Sequence, residues 1–183
     1  MAKQPSVYKA PSGVARERRV GVLTRRGYIS LLLRVCVIIL AVYIIFTNIF
    51  MITQCRGQDM FPAVEDGDLV LVYRLHGDYQ KGDVVAYEID GKTRLGRIVA
   101  KRTDTVMMDS SGMLSVNGTT QGGEIMFPTY AKEGITYPYT VSGDALFVLG
   151  DYRTQATDSR DYGPVSLENV KGKVITIVRR RGV

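Results

Sequence analysis

The sequence predicts a mostly β domain with antiparallel strands, carried by one N-terminal transmembrane helix. Two observations lead to this fold class. Residues 29–52 form an almost continuous apolar run behind a basic segment, and the remainder consists of short β-branched runs separated by Gly-Asp pairs. Beyond residue 52 no helical periodicity is sustained, which favours strands over helices throughout that part of the chain.

The apolar run is interrupted only by Ser30, Arg34, Thr47 and Asn48. A helix of this length rises about 1.5 Å per residue and crosses a hydrocarbon core of roughly 30 Å. A buried core helix is the first alternative, but the run has no polar face. A cleaved signal peptide is the second, but the run is too long and residues 53–55 (TQC) lack a small-residue cleavage site. We therefore predict a transmembrane helix over 29–52.

The charges are distributed very unevenly along the chain. Residues 1–34 hold eight Lys or Arg against one acid, Glu17, whereas the chain from residue 53 onward holds sixteen Lys or Arg against seventeen Asp or Glu. The positive-inside rule places residues 1–28, expected to be a disordered basic arm, in the cytoplasm and residues 53–183 outside the cell membrane. The nearly equal numbers of basic and acidic residues in the outer domain also argue against nucleic-acid binding, which requires a basic face on the domain itself.

The predicted strands of the outer domain lie between Gly-Asp pairs that indicate turns. Residues 119–143 are rich in Gly, Pro, Thr and Tyr and are expected to be an extended loop or insertion. A chain of about 130 residues can bury an ordinary core. The predicted strands are 69–73, 84–89, 98–101, 114–116, 145–149 and 174–178.

Cysteine and histidine give no sign of a metal or disulfide framework. Cys36 lies within the predicted span and Cys55 just outside it, and the single histidine, His76, lies in a turn-like segment. These residues are too few and too scattered for a zinc site. We expect no cofactor, no metal and no intrachain disulfide.

Several motifs of the outer domain occur in a fixed order behind the span. They are 57–62 (GQDMFP), 67–72 (GDLVLV), 82–85 (GDVV), 94–99 (RLGRIV), 114–118 (LSVNG), and 150–153 (GDYR) followed by 158–160 (DSR). Each motif is weak alone, but in this series the chain resembles the bacterial type I signal peptidases. The resemblance implies a signal-peptidase-like antiparallel β domain over 53–183 and an extended-peptide groove near the membrane surface.

The departures from that family fall on its chemistry. Family members cleave with a serine nucleophile and a lysine base, and the resemblance aligns these positions with Asp59 and Gly96. A supporting serine of the family corresponds to Ala156, whereas Met60, Pro62, Arg97, Asp158, Ser159 and Arg160 follow the family pattern as cleft-lining or supporting residues. Loss of the nucleophile alone typically costs about 10⁶ in kcat. The resemblance therefore implies a vestigial cleft at Asp59 and Gly96 and a protein that is not an enzyme.

Simpler roles compete for several of these residues. Asp158 and Arg160 are expected to form a structural ion pair, and Ser159 is expected to be a hydrogen-bonding corner. Asp59 is either an exposed remnant or a ligand-binding acid, and both interpretations stay open. Aspartyl chemistry would need a second carboxylate at Asp59, and Asp158 is a candidate by analogy alone.

The resemblance extends to degenerate signal-peptidase-like proteins found beside sortase-assembled pili in Gram-positive bacteria. It implies a chaperone-like scaffold whose partners are an exported polypeptide such as a pilin, a sortase and membrane lipid. Asp59 could then pair with a basic group of the pilin. Two alternatives are an active signal peptidase with relocated catalytic groups and a decoy that regulates a true signal peptidase.

Overall fold

The computed structural model describes residues 11–75, 77–122 and 126–179, with side chains described from residue 25 onward. The predicted turn at His76 and part of the predicted 119–143 loop therefore lie outside the described residues. The chain divides into two compact units, the first ending at Ile45 and the second beginning at Phe46.

The first helix, α1, runs from Pro11 to Asn48. Its stretch Arg25–Asn48 is long and apolar enough to cross a membrane. None of the apolar part of this stretch is buried against other described residues. This exposure disfavours the alternative of a buried core helix. Residues 11–28 were expected to be disordered, but their backbone is helical, and Pro11 occupies the first helical position, where its missing N–H costs nothing.

The described residues of the second unit form eleven strands and two short helices. The helices are α2 (Ser159–Tyr162) and one 3₁₀ turn (Leu167–Asn169). The strands are β1 (Phe50–Gln54), β2 (Leu69–Tyr73), β3 (Val84–Ile89), β4 (Lys92–Ala100), β5 (Thr105–Met108), β6 (Leu114–Val116), β7 (Thr119–Thr120), β8 (Tyr139–Thr140), β9 (Ala145–Leu149), β10 (Val165–Ser166) and β11 (Val170–Val178).

The strands form two sheets, and all of the pairs among the described residues are antiparallel. The larger sheet has the order β1-β2-β11-β3-β4-β9-β10, and the smaller has the order β7-β6-β5-β8. The predicted mostly β, antiparallel fold class is thus confirmed. Strand β11 lies between β2 and β3, so the larger sheet needs residues as far along the chain as Val178.

Three buried apolar clusters stabilise this unit. One lies beneath the smaller sheet around Val106 and Phe147. A second surrounds Met60 and Val70 at the β1–β2 end, and the third surrounds Tyr87 on the far side of β3 and β4. Complete burial of a side chain of this size contributes about 1.5–3 kcal/mol, so each cluster contributes to the stability of the unit.

Several predicted boundaries differ from the structure. The strands predicted at 69–73, 84–89, 114–116 and 145–149 have the observed bounds. The predicted transmembrane helix ends four residues too late, because Phe50–Gln54 pairs with β2 as a strand instead of continuing the helix. The prediction of a strand at 98–101 omits the first six residues of β4, where glycine and charged side chains obscure the strand pattern. The predicted 119–143 loop contains the short strands β7 and β8.

Candidate functional site

A groove of about 500 Å³ opens between β1 and the β3–β4 hairpin. We call it the groove throughout. One wall is the end of β1 with the loop after it, and the other is the hairpin turn with the first half of β4. Its lining residues are Thr53, Gln54, Cys55, Arg56, Asp59, Met60, Gly91, Lys92, Thr93, Arg94 and Leu95.

Two strand edges without a strand partner border the groove. Strand β1 is the end strand of the larger sheet, and its described partner is β2 alone. Strand β4 pairs with β3 over residues 92–97 but with β9 only from Arg97 onward, which leaves the other edge of residues 92–96 without a strand among the described residues. Such edges offer backbone donors and acceptors to an added strand.

Asp59 lines the groove from the loop that follows β1. Its carboxylate accepts hydrogen bonds from Nη1 of Arg94 and from the backbone N–H of Thr157, both at 3.4 Å. Its carbonyl oxygen accepts a hydrogen bond from the backbone N–H of Tyr152 at 3.0 Å, which ties the loop to the segment after β9. Asp59 is therefore a half-buried acid that already has a cationic neighbour.

Burial dominates the electrostatics of Asp59. Desolvation raises the pKa of the Asp59 carboxyl above its ordinary value, although the Thr157 N–H and Arg94 lower it in part and Asp158 raises it again. No hydrogen bond joins the carboxyl groups of Asp59 and Asp158 among the described residues, and the Asp158 carboxylate accepts hydrogen bonds from Arg160 and Gly150. Among the described residues the hydrogen bonds of the Asp59 carboxylate are those to Arg94 and Thr157.

At Gly96, neighbouring side chains fill the space that a side chain would need. A Cβ on Gly96 would overlap Cγ1 of Val148 and would lie 3.2 Å from Cε1 of Tyr87 and 3.4 Å from the carbonyl oxygen of Leu149. Val148 is fully buried on β9, and its branched side chain has one stiff torsion. The space is therefore collapsed, not an open pocket.

Tyr87 is fixed in this place by a second tyrosine. Its hydroxyl lies 2.7 Å from that of Tyr162, and their rings pack at 6.5 Å. Burial raises the pKa of Tyr87 to about 12, and burial with the Tyr87 neighbour also raises the pKa of Tyr162. Both phenols therefore stay neutral and supply no base at physiological pH.

The side chains of the 158–160 motif form a buried, hydrogen-bonded cluster. The Asp158 carboxylate caps α2 and accepts hydrogen bonds from the guanidinium of Arg160 at 2.8 Å and from the N–H of Gly150 at 3.0 Å. Ser159 Oγ accepts a hydrogen bond from the N–H of Val148 at 2.9 Å. All three motif side chains are at most 1% exposed. The expected structural ion pair and hydrogen-bonding corner are confirmed.

The remaining predicted site residues are supports and do not lie free in the groove. Met60 is fully buried in the cluster around Val70. Arg97 binds both carboxylate oxygens of Asp151, at 2.8 and 2.6 Å, and donates to the carbonyl of Gly82.

Ala156 and Pro62 complete this supporting shell. Ala156 is fully buried, and its carbonyl oxygen accepts a hydrogen bond from Lys132 Nζ at 2.7 Å. Pro62 follows a cis peptide bond and borders a second cavity beside Arg97.

Cys55 lines the groove as a buried free thiol. Burial, reinforced by the negative charges of Asp66, Asp68 and Asp59, raises the pKa of the Cys55 thiol to about 11. Reactivity requires the thiolate, so Cys55 is poorly suited to link two copies of the chain through a disulfide.

Sequence reasoning missed Arg94, Val148 and Tyr87. Arg94 was within reach, because alternate residues of a strand share a face and Arg94 stands two positions before Gly96. Val148 and Tyr87 had no such signal, since their contact with Gly96 depends on β3 and β9 both neighbouring β4.

Comparison with known proteins agrees with the motif series. The family model described as "Signal peptidase, peptidase S26" matches residues 28–179. The chain is 30% identical over 145 residues to mitochondrial inner membrane protease subunit 1 of Schizosaccharomyces pombe, covering 75% of this chain and 78% of that protein. It is 26% identical over 156 residues to signal peptidase I of Bacillus caldolyticus, covering 76% of this chain and 83% of that protein.

Among solved structures, the crystal structure of a signal peptidase I from Enterococcus faecalis V583 matches with a TM-score of 0.44 and 24% identity. The match covers 55% of this chain and 98% of that one. The family match over residues 28–179 spans well over half of the sequence. The chain therefore belongs to the signal peptidase family, peptidase S26.

Proposed function

We propose that this protein is a non-catalytic member of its family that binds exported polypeptides in the groove and assists sortase-mediated pilus assembly as a chaperone-like scaffold. The observation that carries the first part is the filled space at Gly96. A serine–lysine dyad needs a base with room beside the nucleophile, and here Val148 and Tyr87 occupy that room while Asp59 stands in place of the serine.

The groove supports binding without chemistry. Its two strand edges, at β1 and at residues 92–96, can each hydrogen-bond to the backbone of an extended segment laid between them. This mode of recognition takes its affinity from backbone bonds and its selectivity from side-chain pockets. Neither requires a nucleophile, so loss of the dyad leaves this capacity intact.

Pilus assembly is the proposed use of that capacity. A scaffold of this kind holds an exported pilin at the outer membrane face, where a sortase joins pilins by transpeptidation. The proposed orientation has the N-terminus in the cytoplasm and the β domain outside, and it rests on the eight Lys or Arg of residues 1–34. The low sulfhydryl reactivity expected for Cys55 suits a scaffold that acts without covalent attachment.

Gene deletion followed by complementation tests this proposal. The complementing versions are the natural chain, Thr93→Trp, which fills the groove, and Thr119→Trp, which places the same side chain on an exposed strand residue outside the groove lining. We expect polymer assembly to be restored by the natural chain and by Thr119→Trp but not by Thr93→Trp. Restoration by Thr93→Trp at normal protein levels would exclude groove binding as the basis of the function.

A cleavage assay separates this proposal from an active peptidase. Purified full-length protein is incubated with a signal-peptide substrate and with a pilin precursor, beside an authentic signal peptidase. We expect no cleavage above background from the natural chain. Cleavage that disappears in Asp59→Ala would show relocated chemistry. Crosslinking to a signal peptidase instead of to pilin or sortase would favour the decoy.

A further inference from the structure

The lining of the groove carries a net positive charge, although it includes one acid. Three of its lining residues are basic, namely Arg56, Lys92 and Arg94, and one is acidic, Asp59, which leaves a formal excess of two positive charges (three minus one). An apolar signal-peptide-like segment would gain nothing from this excess, whereas a segment with a carboxylate would.

Arg94 is the residue with the most unused binding capacity in the groove. A guanidinium has five N–H donors in a fixed fork, and the described acceptor for Arg94 is a single Asp59 oxygen at a long 3.4 Å. Its Nε is buried without a hydrogen-bond partner among the described residues. The Arg94 side chain as a whole is 29% exposed, so other N–H groups of its guanidinium remain within reach of an acceptor in the groove.

Arg56 and Lys92 stand on opposite walls of the groove, beside β1 and on β4 respectively. Both side chains are exposed, and neither forms an ion pair with another described residue. The nearby acid Asp66 is outside the groove lining, and one oxygen of its carboxylate accepts a hydrogen bond from the N–H of Gly57 at 2.7 Å. A carboxylate that enters between the walls therefore meets positive charge on both sides.

We propose that the groove selects an extended polypeptide segment that carries an Asp or Glu side chain, with Arg94 as its main partner and Arg56 and Lys92 as flanking charges. This specificity rests on the proposed function of the groove as a binding site for exported polypeptides. It also changes the role expected for Asp59. That carboxylate orients Arg94 and does not pair with a lysine of the client.

Matched peptides test the selection directly. Full-length protein in phosphatidylcholine nanodiscs is titrated into three fluorescein-labelled decapeptides, which are alike except for Glu, Gln or Lys at the central position, and binding is followed by fluorescence anisotropy. We expect the Glu peptide to bind about tenfold more tightly than the Gln peptide, since charge-assisted bonds are roughly twice as strong as neutral ones. The Lys peptide should bind most weakly.

Variants assign the effect to the named residues. Arg94→Gln should reduce the Glu-over-Gln preference to less than about twofold, and Arg94→Lys should restore part of it, because Lys keeps the charge but not the fork. The control Arg102→Gln removes an exposed arginine outside the groove lining, which faces Asp144 at 3.3 Å, and should leave the preference unchanged. Circular dichroism of each variant checks that it is folded.

The outcomes distinguish this inference from the function on which it rests. Equal binding of the Glu and Gln peptides, blocked in both cases by Thr93→Trp, would overturn the charge selection and leave groove binding intact. Tightest binding of the Lys peptide would overturn it in favour of a client cation at Asp59. If no peptide binds at concentrations up to about 1 mM, the dissociation constant of a weak complex, both proposals are overturned.

Discussion

Replacing Gly96 by alanine should destabilise the β domain, although the same change in an open strand would stabilise it. The Gly96 backbone lies outside the left-handed region, so alanine alone would gain about 0.4–1 kcal/mol from the less flexible unfolded chain. Its Cβ, however, would approach Cγ1 of Val148 more closely than the 3.0 Å below which real Cβ contacts do not occur. Overpacking of this kind costs about 1–3 kcal/mol. Taking the middle of both ranges, about 2 kcal/mol of cost less about 0.7 kcal/mol of gain, we expect a net loss of about 1.3 kcal/mol.

The measurement is equilibrium urea unfolding of the full-length protein in detergent micelles, followed by near-ultraviolet circular dichroism. Gly122→Ala is the matched control, because a Cβ on Gly122 meets no atom within 4 Å and the backbone is equally permissive. In a Val148→Ala background, which removes the overlapping methyl, Gly96→Ala should cost less than about 0.5 kcal/mol, as expected for residues in direct contact. A Gly96→Ala protein as stable as the natural one would refute the filled pocket.

Three further predictions follow from buried charges and from the groove. Asp158→Asn should cost about 3–5 kcal/mol of unfolding free energy, because it leaves the Arg160 guanidinium buried without its counter-charge; a loss below about 1 kcal/mol in urea unfolding would contradict this. Asp59→Asn should stabilise the protein at pH 7. Because the pKa of Asp59 is raised in the folded state, the folded protein binds this proton more tightly than the unfolded chain does. The stability that the protonated carboxyl contributes is present at low pH and is lost as pH rises through the folded pKa, where the charged carboxylate destabilises the folded state. The gain should vanish below pH about 3.8, and a gain that is constant with pH would show another cause. Cys55, with a pKa of about 11, should react with a disulfide reagent at pH 8 more than about 100-fold more slowly than an ordinary thiol of pKa about 8.5. Equal rates in native and urea-unfolded protein, measured with Cys36→Ser, would refute its burial.

A large part of the fold could be predicted from the sequence because it depends on local patterns. The apolar run of the span, the turns at Gly-Asp pairs and four strands with their bounds are each encoded within a few neighbouring residues. The order of motifs behind the span likewise placed the chain near its family. Strand β1 was missed because its five residues continue the apolar run, and only pairing with β2 shows that they are extended.

The identities of Asp59 and Gly96 were evident from the sequence alone, and their alignment with the family's catalytic positions was an expectation from the resemblance. The tertiary structure decided what surrounds these two residues. Val148 from β9 fills the space at Gly96, and Arg94 from β4 meets Asp59 across the groove. These residues are far apart in the chain, and their contacts depend on strand order and register. The strand order and register cannot be predicted from local propensity, because they are fixed by how all of the strands bury their apolar faces together.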